Sequence, residues 1–356
     1  MNIRLFMKFY SAHLDKLRLF AHANNETVNV VRQKLDSFVE AGVFRRNKQK
    51  SNPKKSQRGY WIFSTANENT SLASLVVKIL YQRVDDLRPT IIMEFNPDNI
   101  YLKHIFNIVK VIFDLIPRRE SLLKFSSFDF AVNCEVKIGD SCITKLRYWE
   151  HKTEYVGETA YFSPKSKRFM SRILAYNKSA HNIHMSFSCK DYKPSRPVCL
   201  LKRIEIRKPL KPAVSIEELY HIFTNQPDEL ETLFNVYLRQ LENLLVVSRR
   251  EFERYISTLN LYQAHILLSR IENTGISDFG VALSSVIDSA KVDKDDDGNI
   301  RKNSKQLLSI CSKMKKETYF YRFVIPMARD DGLESFKTTL RHLFYLTQVL
   351  ETKNDY

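Results

Sequence analysis

The chain has 356 residues, 44% of them hydrophobic, with 56 Lys and Arg against 40 Asp and Glu and a formal net charge of +16. That length is enough to bury a sizeable core, and the excess of cations suits a polyanionic partner. Only 8 glycines argue against a glycine-rich nucleotide fold, and five cysteines with no CxxC pair argue against a disulfide framework or a structural zinc site.

Two polyanions are common partners, nucleic acid and an anionic membrane. The most apolar stretch, Ile105–Ile116 (IFNIVKVIFDLI), carries Lys110 and Asp114 and is too short to span a bilayer. The first twenty residues hold neither a long apolar run nor a small-residue cleavage site. The expectation is a nucleic-acid-binding protein of the reducing cytoplasm, with no membrane partner.

In chain order, His13–His22 places Leu17, Leu19 and Ala21 at alternate positions and reads as a strand. Asn24–Ala41 is helical by the spacing of Val28, Val31, Leu35 and Phe38, with Asn25 or Thr27 as cap. Residues 45–58 then bring Arg45, Arg46, Lys48, Lys50, Lys54, Lys55 and Arg58 with no acid among them, and Gly59–Phe63 is an aromatic strand. Helix, basic turn and aromatic strand resemble a winged helix whose wing lies along DNA phosphate. An ordinary αβ unit with a solvated basic loop is the other reading. Either way, seven cations can neutralise backbone without specifying sequence.

Leu75–Arg83, Thr90–Phe95, Phe125–Val136, Ile138–Arg147 and Val198–Ile206 read as further strands, and Ile100–Pro117 as an amphipathic helix behind the turn Asn96–Asn99. Tyr161–Asn177 holds a polar turn and then an apolar segment. Beyond Val214 the periodicity is helical, through ELETLFNVYLRQLENLLVV, REFERYISTLNLYQAHILLSRI, SDFGVALSSVIDSAK and LESFKTTLRHLFYLTQVLE, and Lys208–Pro212 (KPLKP) reads as a linker. The fold class expected is α+β: a β-sheet-based domain over residues 1–210 and a mostly α-helical domain over 211–356.

Three acids stand inside apolar strands: Glu94 in IIMEF, Asp129 in FDF and Glu205 in RIEIR. A carboxylate there is costly unless paired or bound to a metal. If the strands are neighbours, the acids converge on one face and suit Mg²⁺ or Mn²⁺. Otherwise they face solvent, or pair with Lys202 and Arg203. Tyr176 ends the apolar segment two residues before Lys178; it is either a packing residue or a nucleophile whose developing charge Lys178 offsets. Asp293–Ile300 (DKDDDGNI) copies the first half of an EF-hand loop, but Ser304 stands where the closing Glu belongs, so a solvated acidic turn between helices is expected.

The order of four segments resembles the Rep_trans type of rolling-circle plasmid replication initiators. Ile92–Pro97 (IMEFNP) matches the family's R-I-E-F-N-P, and Ser127–Cys134 (SFDFAVNC) its R-L-D-L-A-F-D-F strand. Thr159–Phe169 followed by Tyr176-Asn177-Lys178 matches T-x-Y-F-G-x-R-x-S-x-R-F and R-I-Y-N-K, and Lys202–Arg207 (KRIEIR) matches W-R-V-E-I-E. The likeness covers about Ile91 to Lys208. It implies that Tyr176 joins the 5′ phosphate of nicked DNA. It implies a metal site of Glu94, Asp129 and Glu205 for Mg²⁺ or Mn²⁺, and DNA contacts from Lys165, Lys167 and Arg168. The helical domain would recognise the replication origin and form a homodimer, with a host helicase and DNA polymerase as further partners. The chain departs from the pattern at Asn133, where the family has a second acid, and at Ser163, where it has glycine. The interval from Phe169 to Tyr176 is longer, Ser179–Asn182 replaces the run after Y-N-K, and His181 and His184 are not an H-x-H pair. A DNA-binding protein without catalysis, a regulator or a degenerate initiator, is the alternative. An RNA-binding or scaffold protein would account for the charge but not for the ordered motifs.

Overall fold

Alternation of apolar and polar residues dominates the first half of the chain, and in the computed structural model it produces one large antiparallel sheet. The structure describes residues 11–47, 58–65, 75–82, 90–95, 110–116, 123–135, 141–146, 151–156, 159–164, 172–177 and 201–346. The strands are β1 (Ser11–His22), β2 (Phe44–Asn47), β3 (Arg58–Thr65), β4 (Leu75–Gln82), β5 (Thr90–Phe95), β6 (Lys124–Glu135), β7 (Ser141–Lys145), β8 (His151–Val156), β9 (Thr159–Pro164), β10 (Arg172–Asn177) and β11 (Leu201–Ser215). Ten of them pair in the order β2-β3-β4-β5-β1-β6-β11-β10-β9-β8. With helices following in the second half, the fold is α+β, as expected from the sequence.

Because side chains alternate across a strand, the sheet has an apolar face and a polar one. Leu17 and Leu19 of β1, Met93 of β5, Phe128 and Phe130 of β6 and Ile204 and Ile206 of β11 are all buried on the first. Three C-terminal helices cover it: α2 (Ile216–Asn225), α3 (Pro227–Glu242) and α8 (Ile325–Leu346). Phe128 stacks on Tyr237 of α3 with ring centroids 3.7 Å apart, and lies 4.8 Å from Phe336 of α8. Phe130 meets Phe234 edge-on at 5.3 Å. Gly332 of α8 sits against the same rings: a Cβ there would come within 2.7 Å of both Phe130 and Phe234. A register shift in β1 between Leu14 and Lys16 turns the Leu14 N–H toward α8, where it donates to the Ser335 hydroxyl at 3.3 Å.

Four further C-terminal helices build a second core. They are α4 (Arg249–Ile256), α5 (Leu261–Glu272), α6 (Phe279–Val292) and α7 (Lys302–Glu317), gathered around a two-stranded sheet of β7 and β12 (Leu244–Ser248). Gly280, in the first turn of α6, lets that helix touch the β7 backbone, because a Cβ there would collide with the Ser141 carbonyl.

Several boundaries differ from expectation. Asn24, not Asn25 or Thr27, caps the first helix, α1 (Asn25–Glu40), by accepting from the Thr27 N–H at 2.7 Å. The helix read through ELETLFNVYLRQLENLLVV stops at Glu242, and Leu244–Ser248 is a strand paired with β7. The long helix beginning REFERYI is two, α4 and α5, the second capped by Asn260. Residues 208–212, expected to be a linker, lie inside β11. Pro209 and Pro212 cannot donate to a ladder, and the register with β6 shifts there, between Pro209 and Val214. The helix–turn–strand segment suggesting a winged helix is an αβ unit at the rim of the large sheet: α1 leads into β2, the edge strand, which pairs with β3. Of the helix expected over Ile100–Pro117, residues 110–114 are helical and the earlier part lies outside the described residues.

Candidate functional site

The polar face of the sheet gathers the residues singled out for chemistry. Across it, Glu94 of β5 stands opposite Arg18 of β1, Lys16 of β1 opposite Asp129 of β6, and Asp129 opposite Arg207 of β11. Glu205 lies two residues before Arg207, and Arg203 two before that, opposite both Asn133 of β6 and Tyr176 of β10. Residues opposite one another on neighbouring strands, and those two apart along a strand, share a face. By register, then, Glu94, Asp129, Glu205 and the Tyr176 position all fall on this side of the sheet, away from the helices.

The three carboxylates share the face but not one site. Glu94 and Glu205 sit on strands separated by β1 and β6, so at about 4.8 Å per strand their backbones are roughly 14 Å apart. Glu94 is ringed by cations: Arg18 Nη2 at 2.5 Å, Lys78 Nζ of β4 at 3.0 Å and Lys16 Nζ at 3.5 Å. Burial pushes its carboxyl pKa up, but Arg18, Lys78 and Lys16 together outweigh that and hold it below the ordinary value. The expected three-carboxylate metal set is therefore not assembled. Among the described residues, no group of three His, Cys, Asp or Glu stands close enough to hold a metal ion.

Asp129 and Glu205 do come together, around Arg207. The Arg207 Nε is 3.1 Å from Asp129 Oδ2 and 2.7 Å from Glu205 Oε1, and its Nη2 is 2.6 Å from the same Glu205 oxygen. Asp129 and Glu205 offer hard oxygen donors, the type a divalent cation takes, on adjacent strands, but they are two rather than the expected three and Arg207 engages both. The sequence reading had offered Lys202 and Arg203 as partners for the acids. The cations seen beside them include Arg207, Lys16, Arg18 and Lys78. Their signal was present in the alternation itself: Lys16 and Arg18 interleave with Leu17 and Leu19, and Arg207 follows Glu205 by two. Asn133, which stands where the resembling family has an acid, accepts a hydrogen bond from Arg203 Nε at 2.9 Å.

The other candidate DNA contacts fall elsewhere. Arg45 and Arg46 are exposed on edge strand β2, and Arg46 Nη1 is 3.8 Å from Asp36 of α1. Arg58 begins β3, opposite Gln82. Next to them the Arg32 guanidinium lies over the Trp61 ring, 4.7 Å from its centroid. Lys48, Lys50, Lys54, Lys55, Lys165, Lys167, Arg168 and Lys178 lie outside the described residues. In the EF-hand-like loop Gly298 takes a positive φ of 79°, and Lys294 bridges to Ile300. The Asp293 carboxylate is engaged by the Ser304 hydroxyl at 2.6 Å, Arg301 Nε at 3.3 Å and Arg270 Nη2 at 3.7 Å. Protein groups thus take up the position that opens such a calcium loop.

No protein-family model and no curated protein matches the chain. Among solved structures it is similar to a rolling circle replication initiator protein from Geobacillus stearothermophilus, at 17% identity and a TM-score of 0.30, over 56% of this chain and 75% of that one. A superposition that loose is too weak to carry fold or function from one chain to the other. Among the described residues no helix is long and apolar enough to cross a membrane.

Proposed function

We propose that this chain binds DNA across the polar face of its sheet and nicks one strand with Tyr176, acting as a rolling-circle replication initiator. The observation that carries the reading is the register: segments of the four motifs that resemble the Rep_trans initiators lie in one sheet, on β5 and, beyond β1, on the successive strands β6, β11, β10 and β9. By register, Glu94, Asp129, Glu205 and the Tyr176 position share one face. The Tyr176 hydroxyl oxygen attacks the phosphorus of a phosphodiester in single-stranded or extruded origin DNA. A P–O bond to tyrosine forms and the bond to the 3′ oxygen breaks. The tyrosine proton passes to a base or to water, and the leaving oxygen is protonated to a 3′-OH. Lys178, Arg203 and Arg207 offset charge on the phosphate oxygens. Asp129 and Glu205 would hold Mg²⁺ or Mn²⁺, whose charge favours the more negative transition state. The 3′-OH then primes synthesis by a host helicase and DNA polymerase. The rim carrying Arg45, Arg46 and Arg58 and the basic segments around Lys50 and Lys167 contact backbone phosphate, and the helical half contributes to origin recognition and dimerisation.

One observation favours a second reading, a DNA-binding protein that does not cut. Asn133 replaces an acid with a neutral side chain in the middle of the face. The deciding experiment incubates the protein with its own supercoiled replicon, with and without Mg²⁺ or Mn²⁺, beside Tyr176→Phe. Metal-dependent relaxation with a covalent protein–DNA adduct is expected for the wild type and for the variant a loss of on the order of 10³-fold or more, as when an enzyme loses its nucleophile. Tight binding without relaxation in either protein would establish the non-catalytic reading, and equal cleavage by both would remove Tyr176 as the nucleophile.

A further inference from the structure

Helix α7 of the second core carries cations on its outer side without acids among them. Lys302, Lys305, Lys313 and Lys316 are all exposed, and helical spacing gathers them with Ser309 and Ser312 onto a stripe about 100° wide. Leu307, Ile310, Cys311 and Met314, on the opposite side, are buried in the second core. No acid stands between Lys302 and Lys316 in the chain, and Glu317, just beyond, pairs with Arg322. Asp295, Asp296 and Asp297 precede the helix in an exposed turn, so the Lys313–Lys316 end is the more positive. Among the described residues none of the four ammonium groups enters an ion pair or a hydrogen bond, whereas Arg249, Arg270, Arg301 and Arg329 each meet a carboxylate.

We propose that α7 docks on the backbone of duplex DNA and bridges a groove, with Lys302 and Lys305 on one row of phosphates and Lys313 and Lys316 on the other. The two pairs are eleven residues apart, about 16 Å along a helix. That length spans a major groove about 12 Å wide, with Ser309 and Ser312 over the gap. Lysine is a point charge that neutralises phosphate without reading a base, so the contact is independent of sequence. An anionic membrane would attract the same charges, but a helix lying in a membrane surface also buries an apolar side, and that of α7 is committed to the core. The stripe has no aromatic side chain on which an unpaired base would stack, which favours duplex over single strand. The proposal rests on the DNA-binding reading given under Proposed function and adds a contact on the helical half, but it needs no cut.

The test measures binding of the full-length chain to a fluorescent duplex of arbitrary sequence, by anisotropy, across a series of KCl concentrations. It compares wild type with Lys302→Gln/Lys305→Gln, with Lys313→Gln/Lys316→Gln and with Lys337→Gln/Arg341→Gln on α8, which packs on the first core. Every variant removes two charges, and Gln suits a helix about as well as Lys, so the α7 variants should keep the wild-type Tm. Each α7 variant is expected to bind about tenfold more weakly than wild type, with the slope of log affinity against log salt reduced by about 2, and the α8 variant to change little. If the α7 variants match wild type, or lose no more than the α8 variant, the docking helix is overturned while the DNA-binding reading stands. If wild type itself does not bind the duplex, both fall. Vesicles of phosphatidylserine are the second probe: a loss by the α7 variants on vesicles but not on the duplex would make this face a membrane surface and overturn the proposal.

Discussion

Glu94 shows how the polar face stores charge. Its carboxylate is nearly buried, which by itself would favour the protonated form, yet Arg18, Lys78 and Lys16 reverse the balance and lower its pKa from 4.5. A carboxyl whose folded value is depressed contributes stability that is fully present above its unfolded value and is lost as the pH falls through the folded one. The wild type should therefore lose Tm below about pH 4.5 more steeply than Glu94→Gln, in which the group does not titrate. Thermal denaturation across pH 6 to 3 reads this directly, and parallel curves for the two proteins would show that acid sensitivity arises elsewhere. At neutral pH the same substitution leaves three cations facing one another, and roughly 1–3 kcal/mol of destabilisation is expected, moderated because all three are partly hydrated.

At the scale of an element, α8 depends on a residue that a helix ordinarily disfavours. Glycine inside a helix costs about 1 kcal/mol relative to alanine, so Gly332→Ala would stabilise an exposed helix. Here the added methyl meets the Phe130 and Phe234 rings, both fully buried, and overpacking of that kind costs about 1–3 kcal/mol. The net expectation is a lower Tm for Gly332→Ala, and a rise would mean that the helix and sheet yield easily at this contact. The strand β12 depends on a cap in the same way. Ser248 ends it and begins α4 in a reciprocal capping box with Glu251, so Ser248→Ala should cost about 1 kcal/mol in denaturant unfolding. LLVV is apolar at every position, and a run without alternation carries no period that separates strand from buried helix. The β-branched Val246 and Val247, followed by a serine cap, were the signals against it.

At the scale of the molecule, the boundary near residue 210 divides strand-rich from helix-rich sequence but does not divide the packing. Tyr237, Phe234 and Phe336 cover the apolar face of a sheet built from the first half, and β12 pairs with β7. Each such ring contributes about 1.5–3 kcal/mol by burial. A fragment ending at residue 210 would expose that face, and it is expected to lack near-UV circular dichroism and a cooperative thermal transition. A fragment that unfolds cooperatively would instead show that the sheet stands without its helices.

The order and kind of most elements, and the chemistry of the candidate residues, were determined by sequence alone, because local alternation and helical spacing are written residue by residue. Acids inside apolar strands, a tyrosine ahead of a lysine and a strongly basic loop could all be named there. Tertiary structure decided which of them meet. Register set Glu205 and Asp129 around Arg207, set Glu94 apart among three cations, and placed the Tyr176 position opposite Arg203. Spacing along the chain cannot foresee this, since strand order joins β5 to β1 and β6 to β11 across long intervals of sequence. Glu94 takes its cations from the neighbouring strands and Asp129 meets Arg207 across the sheet, whereas Glu205 meets Arg207 from its own strand.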